Sequence, residues 1–435
     1  MELRDYQVDG LNEIRASFAK GIRRVCYVAP CGAGKGTMVA AMANGAADKN
    51  NRVLFLIHRR ELLEQVQEDI GRTHPLIQLK TVQSCRDVVE PRLIISDEFH
   101  HGTAATWRRI FDRFPRANVV GLTATPARMG GQGLAEICDR LIIGPSATEL
   151  IKNGYLAPYK YYAPPMPVDF EDVKIIAGDF DQREITIRID KPHITGKAIE
   201  HYLELARGKQ AIIYCASLEH SRNTVEAFNA AGIQAQHVDG ETPPAQRREA
   251  VEDFKQGRLT VLSNCELFGE GLNLPGVEVV ILLRPTQSLT LNLQQSMRSM
   301  RPGVGKTAII IDAVGNVFRH GLPSQDREWT LTGTVKKRTT PGIGIRTCPQ
   351  CFGCYAPAPA CPYCGTVKNM TPRTLAEEQG TLKEFDAAEA EAAARKARME
   401  VGRCKTIKEL QEIAKARNYA PGWVWNTARA KGIKH

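Results

Sequence analysis

Short runs of consecutive apolar residues alternate along the chain with segments whose apolar positions recur every three or four residues. Val25-Cys26-Tyr27-Val28-Ala29, Val53-Leu54-Phe55-Leu56-Ile57, Leu93-Ile94-Ile95 and Val119-Val120-Gly121-Leu122 are runs of the first kind. Between them an alanine-rich stretch extends to about Asn50, and Glu61-Leu62-Leu63-Glu64-Gln65-Val66 opens with helical spacing. Strands apolar on both faces and separated by helices predict a parallel sheet covered on both sides over residues 1–145. Residues 146–195 break this rhythm. Tyr155, Tyr159, Tyr161 and Tyr162 stand among Pro158, Pro164, Pro165 and Pro167, which predicts an extended crossover. The alternation resumes at Ala211-Ile212-Ile213-Tyr214, Ala235-Gln236-His237-Val238 and Leu259-Thr260-Val261-Leu262. Val279-Val280-Ile281-Leu282-Leu283 and Ala308-Ile309-Ile310-Ile311 complete a second parallel sheet over 196–335.

After a basic, Gly/Thr-rich linker at 336–347 the pattern changes again. A cysteine module at 345–366 is followed by an Ala/Glu-rich helix over 370–400 and a basic helical tail over 401–435. The expected fold class is α/β: two tandem parallel-sheet domains, a zinc-ribbon-like module and a small helical C-terminal tail. The 435 residues, 43% hydrophobic and 24% charged, suit a soluble chain with two or three cores. No apolar run approaches the ~20 residues of a membrane span. Met1-Glu2-Leu3-Arg4-Asp5-Tyr6-Gln7 has no signal-peptide character, so the expected compartment is cytoplasmic. A net charge of +10 favours a polyanionic partner.

Twelve cysteines are unevenly spread, with five inside residues 348–364. Cys26, Cys215 and Cys265 sit singly in apolar runs, where a reduced thiol packs as a small hydrophobe. Cys348-Pro349-Gln350-Cys351 and Cys361-Pro362-Tyr363-Cys364-Gly365 are two knuckles of metal-site spacing. Cys354 also has that spacing from Cys351. The proline after the first cysteine of each knuckle selects Cys348, Cys351, Cys361 and Cys364 as a structural Zn²⁺ site.

Two further stretches point to a nucleoside triphosphate. Ala29-Pro30-Cys31-Gly32-Ala33-Gly34-Lys35-Gly36-Thr37 follows an apolar strand and precedes a helix. Such a turn exposes backbone N–H groups to phosphates, and Lys35 supplies charge to the β/γ oxygens. Ser96-Asp97-Glu98-Phe99-His100 ends another strand. Its acidic pair can hold Mg²⁺ and orient a water, with Asp97 on the metal and Glu98 on the water.

With these in place the chain resembles the superfamily 2 DEAD/DEAH-box-like helicases, and within them the RadD-like branch and related phage and bacterial helicases. The resemblance covers residues 1 to about 365, with the motifs in the family's order. It implies that both sheets are RecA-like domains and that ATP is hydrolysed in the cleft between them. Leu3-Arg4-Asp5-Tyr6-Gln7 resembles the adenine-recognition element, with Gln7 on the base. Phe55 through Leu62 and Thr81-Val82-Gln83-Ser84 resemble segments that touch the nucleic-acid backbone, and Gly121-Leu122-Thr123-Ala124-Thr125-Pro126 resembles the coupling motif. Asn264 through Pro275 is similar to motif V, which places Gly271 and Asn273 at the nucleotide. Gln294 through Arg301 is similar to motif VI, which makes Arg298 and Arg301 arginine fingers. Ile311-Asp312-Ala313-Val314-Gly315-Asn316 with Arg319-His320-Gly321 resembles the RadD-like branch.

Three positions depart from the pattern. Gly36 stands where a Ser or Thr hydroxyl on Mg²⁺ is expected, with Thr37 one place later. Met297 replaces a usual glycine, and Asn273 a common aspartate. Pro30, Gly32, Gly34, Lys35, Gly36 and Thr37 remain the expected nucleotide-binding loop. In the tail, eight Lys/Arg against two Glu are interleaved with Tyr419, Trp423 and Trp425, which suits backbone neutralisation with base stacking or a very small aromatic core.

The sequence therefore reads as an ATP-dependent DNA helicase or translocase of DNA repair, recombination or replication, using ATP, Mg²⁺ and Zn²⁺. DNA stands ahead of RNA as partner, the zinc module or tail offers a protein-docking surface, and no membrane is involved. The alternatives are a nucleic-acid-stimulated ATPase that remodels repair intermediates with little unwinding, and a catalytically weak nucleic-acid-binding adaptor.

Overall fold

The computed structural model describes residues 2–57, 66–67, 70–71, 74–82, 84–85, 87–101, 104–127, 132–163, 170, 172–176, 178–265, 274, 276–333, 344–367, 400–401, 404, 406–416, 424–425 and 427–428. His58 through Leu62, Gln83, Gly271, Asn273, Trp423 and nearly all of 370–400 lie outside these residues. Residues 1–368 form one compact unit and 369–435 another.

The first sheet contains β1 (Arg24–Val28), β2 (Val53–Ile57), β3 (Ile77–Thr81), β4 (Leu93–Ser96), β5 (Asn118–Thr123) and β6 (Arg140–Ile143), all parallel, in the order β3-β2-β4-β5-β1-β6. Val28 pairs with Thr123, and Ser96 pairs with Gly121. The C-terminal ends of β1, β4 and β5 therefore line one edge, where open α/β sheets bind their ligands. Helices Asp5–Ala19 and Lys35–Ala47 cover the sheet. The first buries Gln7, Gly10, Leu11, Ile14 and Ser17 at helical spacing. A Cβ on Gly10 would stand 2.6 Å from the Tyr27 ring, so the glycine lets the helix lie close on β1.

The segment expected as an extended crossover is structured in much of its length. It holds helix Ala147–Lys152, strand β7 (Tyr159–Tyr162), an antiparallel hairpin of β8 (Ile175–Ile176) with β9 (Asp179–Phe180), and helix Gln182–Ile189. Tyr161 and Tyr162 are buried because β7 is a strand of the second sheet, parallel to β14 (Ala308–Asp312). Pro158 stands just before this strand and does not prevent it. That sheet also contains β10 (Ala211–Cys215), β11 (Ala235–Val238), β12 (Val261–Asn264) and β13 (Val279–Leu283), in the order β11-β12-β10-β13-β14-β7-β16-β15. The last two strands, β15 (Arg346–Thr347) and β16 (Gly353–Tyr355), come from the cysteine module and run antiparallel. Gly353 pairs with Tyr162, and a Cβ there would meet the Tyr363 ring at 2.1 Å. The missing side chain admits Tyr363, whose ring tilts against Tyr162 at 5.6 Å and whose hydroxyl donates to the Cys354 carbonyl.

In the second unit, helix Ile407–Ala416 buries Leu410 with Cys404, Val424 and Ala428. Trp425 is 48% exposed, so this small core is aliphatic among the described residues. No described helix is long and apolar enough to cross a membrane.

Candidate nucleotide site and cysteine cluster

The turn between β1 and helix Lys35–Ala47 has Gly32 at φ +83° and Gly34 at φ +73°, conformations that cost glycine little. Their neighbours are also close, so that an added side chain would displace them. A Cβ on Gly32 would stand 2.8 Å from Leu156, and one on Gly34 would stand 2.6 Å from Gln7 Nε2. Lys35 Nζ donates to the carbonyls of Ala29 and Pro30 at 3.1 and 3.3 Å, which folds the ammonium over the loop. A glycine turn at a helix N-terminus with a lysine over it fits a polyphosphate.

Gln7 is 2% exposed, and its amide is engaged by the loop. Oε1 accepts from the Arg4 N–H at 2.9 Å, while Nε2 donates to the Gly34 carbonyl at 3.0 Å. The Tyr6 hydroxyl donates to the Ala33 carbonyl at 2.7 Å. In this structure the Gln7 amide braces the glycine turn, tying the first helix to it. Beside it, the Arg4 guanidinium lies 4.6 Å above the Tyr155 ring.

Asp97 and Glu98 follow β4. Glu98 has φ +45°, and its N–H donates to Asp97 Oδ1 at 2.9 Å. Phe99 holds this strained turn. It is fully buried, tilts against Trp107 at 4.8 Å and occupies the space that a side chain at Gly121 would need. His100 Nδ1 stands 2.8 Å from Thr123 Oγ1 and 3.4 Å from Glu98 Oε2. Thr123 Oγ1 donates to the Thr125 carbonyl, and Thr125 Oγ1 lies 2.7 Å from Thr290 Oγ1 on helix Leu289–Ser296. The acidic turn is thereby linked to the second sheet's domain through three side chains.

Helix Leu289–Ser296 brings Arg298 and Arg301 to the same cleft. Burial pushes the Cys31 thiol up from its ordinary value, and the charges acting on it are Lys35, Glu98, Arg298 and Arg301. Burial also pushes Tyr214 up, opposed by Arg298, whose guanidinium bonds it. Arg298 is 7% exposed. Met297, the departure from a usual glycine, is 3% exposed and packs with Leu293 and Met300 among Ala33, Leu150 and Leu156. Such side chains contribute roughly 1.5–3 kcal/mol each when buried. One hydroxyl pair contributes about 0.5–1.5 kcal/mol net. The interdomain contact is chiefly hydrophobic.

Lys35 lies over the glycine loop, and Glu98, Arg298 and Arg301 are near enough to act electrostatically on Cys31 within it. Thr290 and Tyr214 were not anticipated, because neither lies in a recognisable motif. Asp312 and Asn316, in the stretch resembling the RadD-like branch, are scaffold. Asp312 accepts from the Tyr161 hydroxyl and the Val317 N–H, and Asn316 bonds Thr286 and Arg284.

In the cysteine module the sulfurs of Cys348, Cys351, Cys361 and Cys364 all lie within 4.8 Å of one another. Cys348 stands 3.6 Å from Cys364, and Cys351 3.7 Å from Cys361. A Zn–S bond of about 2.3 Å places tetrahedral sulfurs about 3.8 Å apart, so the donor set fits Zn²⁺. Cys354 stands apart from this set. It is fully buried in the core of the second sheet.

Comparison with known proteins agrees with this architecture. The helicase conserved C-terminal domain family matches residues 195–303, and the type III restriction enzyme res subunit family matches residues 1–78 and 74–128. A 51.5 kDa protein of a Lactococcus phage is 40% identical over 333 residues, covering 74% of this chain and 73% of its own. The Saccharomyces cerevisiae protein named as an ATP-dependent helicase, IRC3, is 26% identical over 354 residues. That match covers 72% of this chain and 51% of IRC3, so the chain spans about half of the yeast relative. Among solved structures, an HsdR subunit fragment of a type I restriction enzyme from Vibrio vulnificus superposes with a TM-score of 0.59 at 21% identity, covering 74% of this chain and 66% of that one. The type ISP restriction-modification enzyme LlaBIII bound to DNA gives 0.55 at 16% identity, covering 72% and 28%. These two likenesses are of fold. With the two family matches falling on its two parallel-sheet domains, the chain belongs to the superfamily 2 helicases, a family of nucleic-acid-dependent ATPases.

Proposed function

We propose that the chain is an ATP-dependent DNA helicase or translocase of repair, recombination or replication. The observation that carries this is the glycine turn under Lys35 at the end of β1, with the Asp97–Glu98 turn at the end of β4 on the same sheet edge and the Thr125–Thr290 contact tying that edge to the helix before Arg298. Phosphoryl transfer needs positioning and charge neutralisation more than covalent help. In this reading Pro30, Gly32, Gly34 and Gly36 shape the phosphate cradle, and Lys35 neutralises the phosphates. Asp97 and Thr37 hold Mg²⁺, which when bound supplies charge to the same oxygens. Glu98 orients the attacking water, with His100 and Thr123 fixing its neighbourhood. Arg298 and Arg301 bring cationic charge from the second domain, so hydrolysis is linked to domain closure. Gly271 and Asn273 keep their proposed place at the nucleotide, outside the described residues.

Cys348, Cys351, Cys361 and Cys364 would hold a structural Zn²⁺, which ties the two knuckles beside β7. The net charge of +10, six of which come from residues 401–435, favours a nucleic-acid backbone. The test is ATPase rate with single-stranded DNA, forked DNA and RNA titrated separately, beside a duplex-unwinding assay. Stimulation by DNA that disappears in Lys35→Ala and in Asp97→Ala/Glu98→Ala, with folding intact, is expected. Unaltered turnover in those variants would overturn the reading. Stimulation without strand separation would reassign the chain to remodelling.

A further inference from the structure

Thr286, Gln287 and Ser288 lead into the helix that ends just before Arg298 and Arg301, and every polar group of Thr286 is gripped from elsewhere. Its N–H donates to Asn316 Oδ1 at 3.1 Å, and its carbonyl lies 2.8 Å from His320 Nε2. Its hydroxyl donates to Asp179 Oδ2 at 2.8 Å. The other Asp179 oxygen accepts from the Gln287 N–H at 2.6 Å, and Arg284 approaches the carboxylate at 3.7 Å. The Ser288 N–H then donates to Thr286 Oγ1, and the Ser288 hydroxyl accepts from the Leu291 N–H at the first turn. Asn316 and His320 belong to a stretch that the sequence singles out. Asp179 does not. It reaches Thr286 from β9, 107 residues earlier, in the segment that looked like a connector.

We infer that Asp179 is a positioning residue for ATP hydrolysis: its carboxylate fixes the start of helix Leu289–Ser296 and thereby the placement of Arg298 and Arg301 at the glycine loop. Charged acceptors make stronger hydrogen bonds than neutral ones, and two of them on adjacent residues set direction as well as distance. The helix is short, so an error at its first residue is carried to the arginines about two turns later. A misplacement of about 1 Å at a reacting centre costs on the order of 10²-fold in rate. The inference rests on the arginines acting in hydrolysis.

Steady-state ATPase and thermal unfolding of the full chain test it. Asp179→Ala is expected to lower kcat about 10- to 100-fold with KM for ATP nearly unchanged, as for a group that acts in the transition state. Asp179→Asn keeps an acceptor for Gln287 but turns an N–H donor toward the Thr286 hydroxyl and Arg284, and should recover only part of the rate. Thr286→Val removes the hydroxyl contact alone and should cause a partial loss that does not add to that of Asp179→Ala. These milder variants carry the test where Asp179→Ala fails to fold. On an Arg298→Ala/Arg301→Ala background, Asp179→Ala should lower single-turnover hydrolysis no further. A full additional drop there overturns the inference, as does an unchanged kcat in Asp179→Ala when Arg298→Ala is slow. An unchanged kcat in Arg298→Ala and Arg301→Ala would instead remove the reading beneath it, and the inference with it.

Discussion

Thr125 Oγ1 and Thr290 Oγ1 stand 2.7 Å apart, joining the loop after β5 to the helix that leads to Arg298. Behind Thr125 the contacts continue through Thr123 and His100 to Glu98. The pair is therefore placed to report the state of the acidic turn to the second domain. Replacing Thr290 with valine keeps the shape and removes a bond worth about 0.5–1.5 kcal/mol. We expect Thr290→Val to lower nucleic-acid-stimulated turnover about 2- to 12-fold, the rate equivalent of that energy, with little change in unstimulated rate. Equal loss in both rates would make the contact structural.

Gln7 offers a test by comparison of substrates. An amide that reads adenine should discriminate among nucleotides, whereas one that braces the phosphate turn should not. Because Nε2 donates to the Gly34 carbonyl, Gln7→Ala is expected to raise KM for ATP and GTP by similar factors. A rise for ATP alone would assign Gln7 the base-reading role.

Much of this architecture was legible because fully buried parallel strands are written as unbroken apolar runs. Val53–Ile57 and Val279–Leu283 coincide with their predicted spans. What was hidden follows from geometry that no local pattern encodes. Strand β3 reads Ile-Gln-Leu-Lys-Thr and is half-buried at the sheet edge, so it has no apolar run to announce it. Strand β7, Tyr-Lys-Tyr-Tyr, has no aliphatic run and gains its place only when β14 and β16 pair with it. The glycine loop and the acidic turn were visible because their chemistry is local. Asp179 and Thr290 were not, because each acts on a residue more than a hundred positions away.

The cysteine module separates two roles that spacing alone left close. Cys361 is in the four-sulfur cluster, whereas Cys354 is buried in the core of the second sheet. With one Zn²⁺ bound per chain, Cys361→Ser should release it. Cys354→Ser should keep it and instead lower the unfolding midpoint, since Thr347 Oγ1 and the Phe352 carbonyl stand at sulfur distances, too long for a shorter C–O hydroxyl, and an unmatched buried hydroxyl costs about 1–3 kcal/mol. Metal content and thermal unfolding of both purified variants check this. Metal loss from Cys354→Ser would mean that the ligand set is wrong.

His320 gives the fold a pH dependence. Burial pulls its pKa down to about 4; Arg319 and Arg327 act in the same direction, while the bond to the Thr286 carbonyl and the charge of Asp179 oppose it. An unfolded histidine titrates near 6.5. Between those values the unfolded chain binds the extra proton, so this contribution is full above about pH 6.5 and is lost as pH falls toward 4. The slope reaches about 1.4 kcal/mol per pH unit. Denaturant midpoints at pH 7 and pH 5 should differ less in His320→Gln than in the parent chain. An equal difference would assign the acid sensitivity to other groups.

Gly36 contradicts the motif it sits in, and the loop geometry suggests what replaces the missing hydroxyl. Mg²⁺ takes octahedral oxygen coordination and usually keeps several waters, so one absent ligand need not abolish binding. Thr37 lies in the first turn of helix Lys35–Ala47, its N–H donating to the Gly34 carbonyl at 3.1 Å. Its hydroxyl is on the loop side, 3.8 Å from where a Cβ on Gly34 would stand. Gly36 beside it leaves the backbone freedom for a small shift. If Thr37 supplies the ligand, Thr37→Ala should raise the Mg²⁺ concentration for half-maximal ATPase several-fold, while Gly36→Thr gains little. If water fills the position, Thr37→Ala should be silent and Gly36→Thr should tighten Mg²⁺. Our expectation is the first outcome, because a protein hydroxyl is already beside the turn. A Mg²⁺ titration of the parent and both variants decides it, and an unchanged midpoint in Thr37→Ala excludes Thr37 as the ligand.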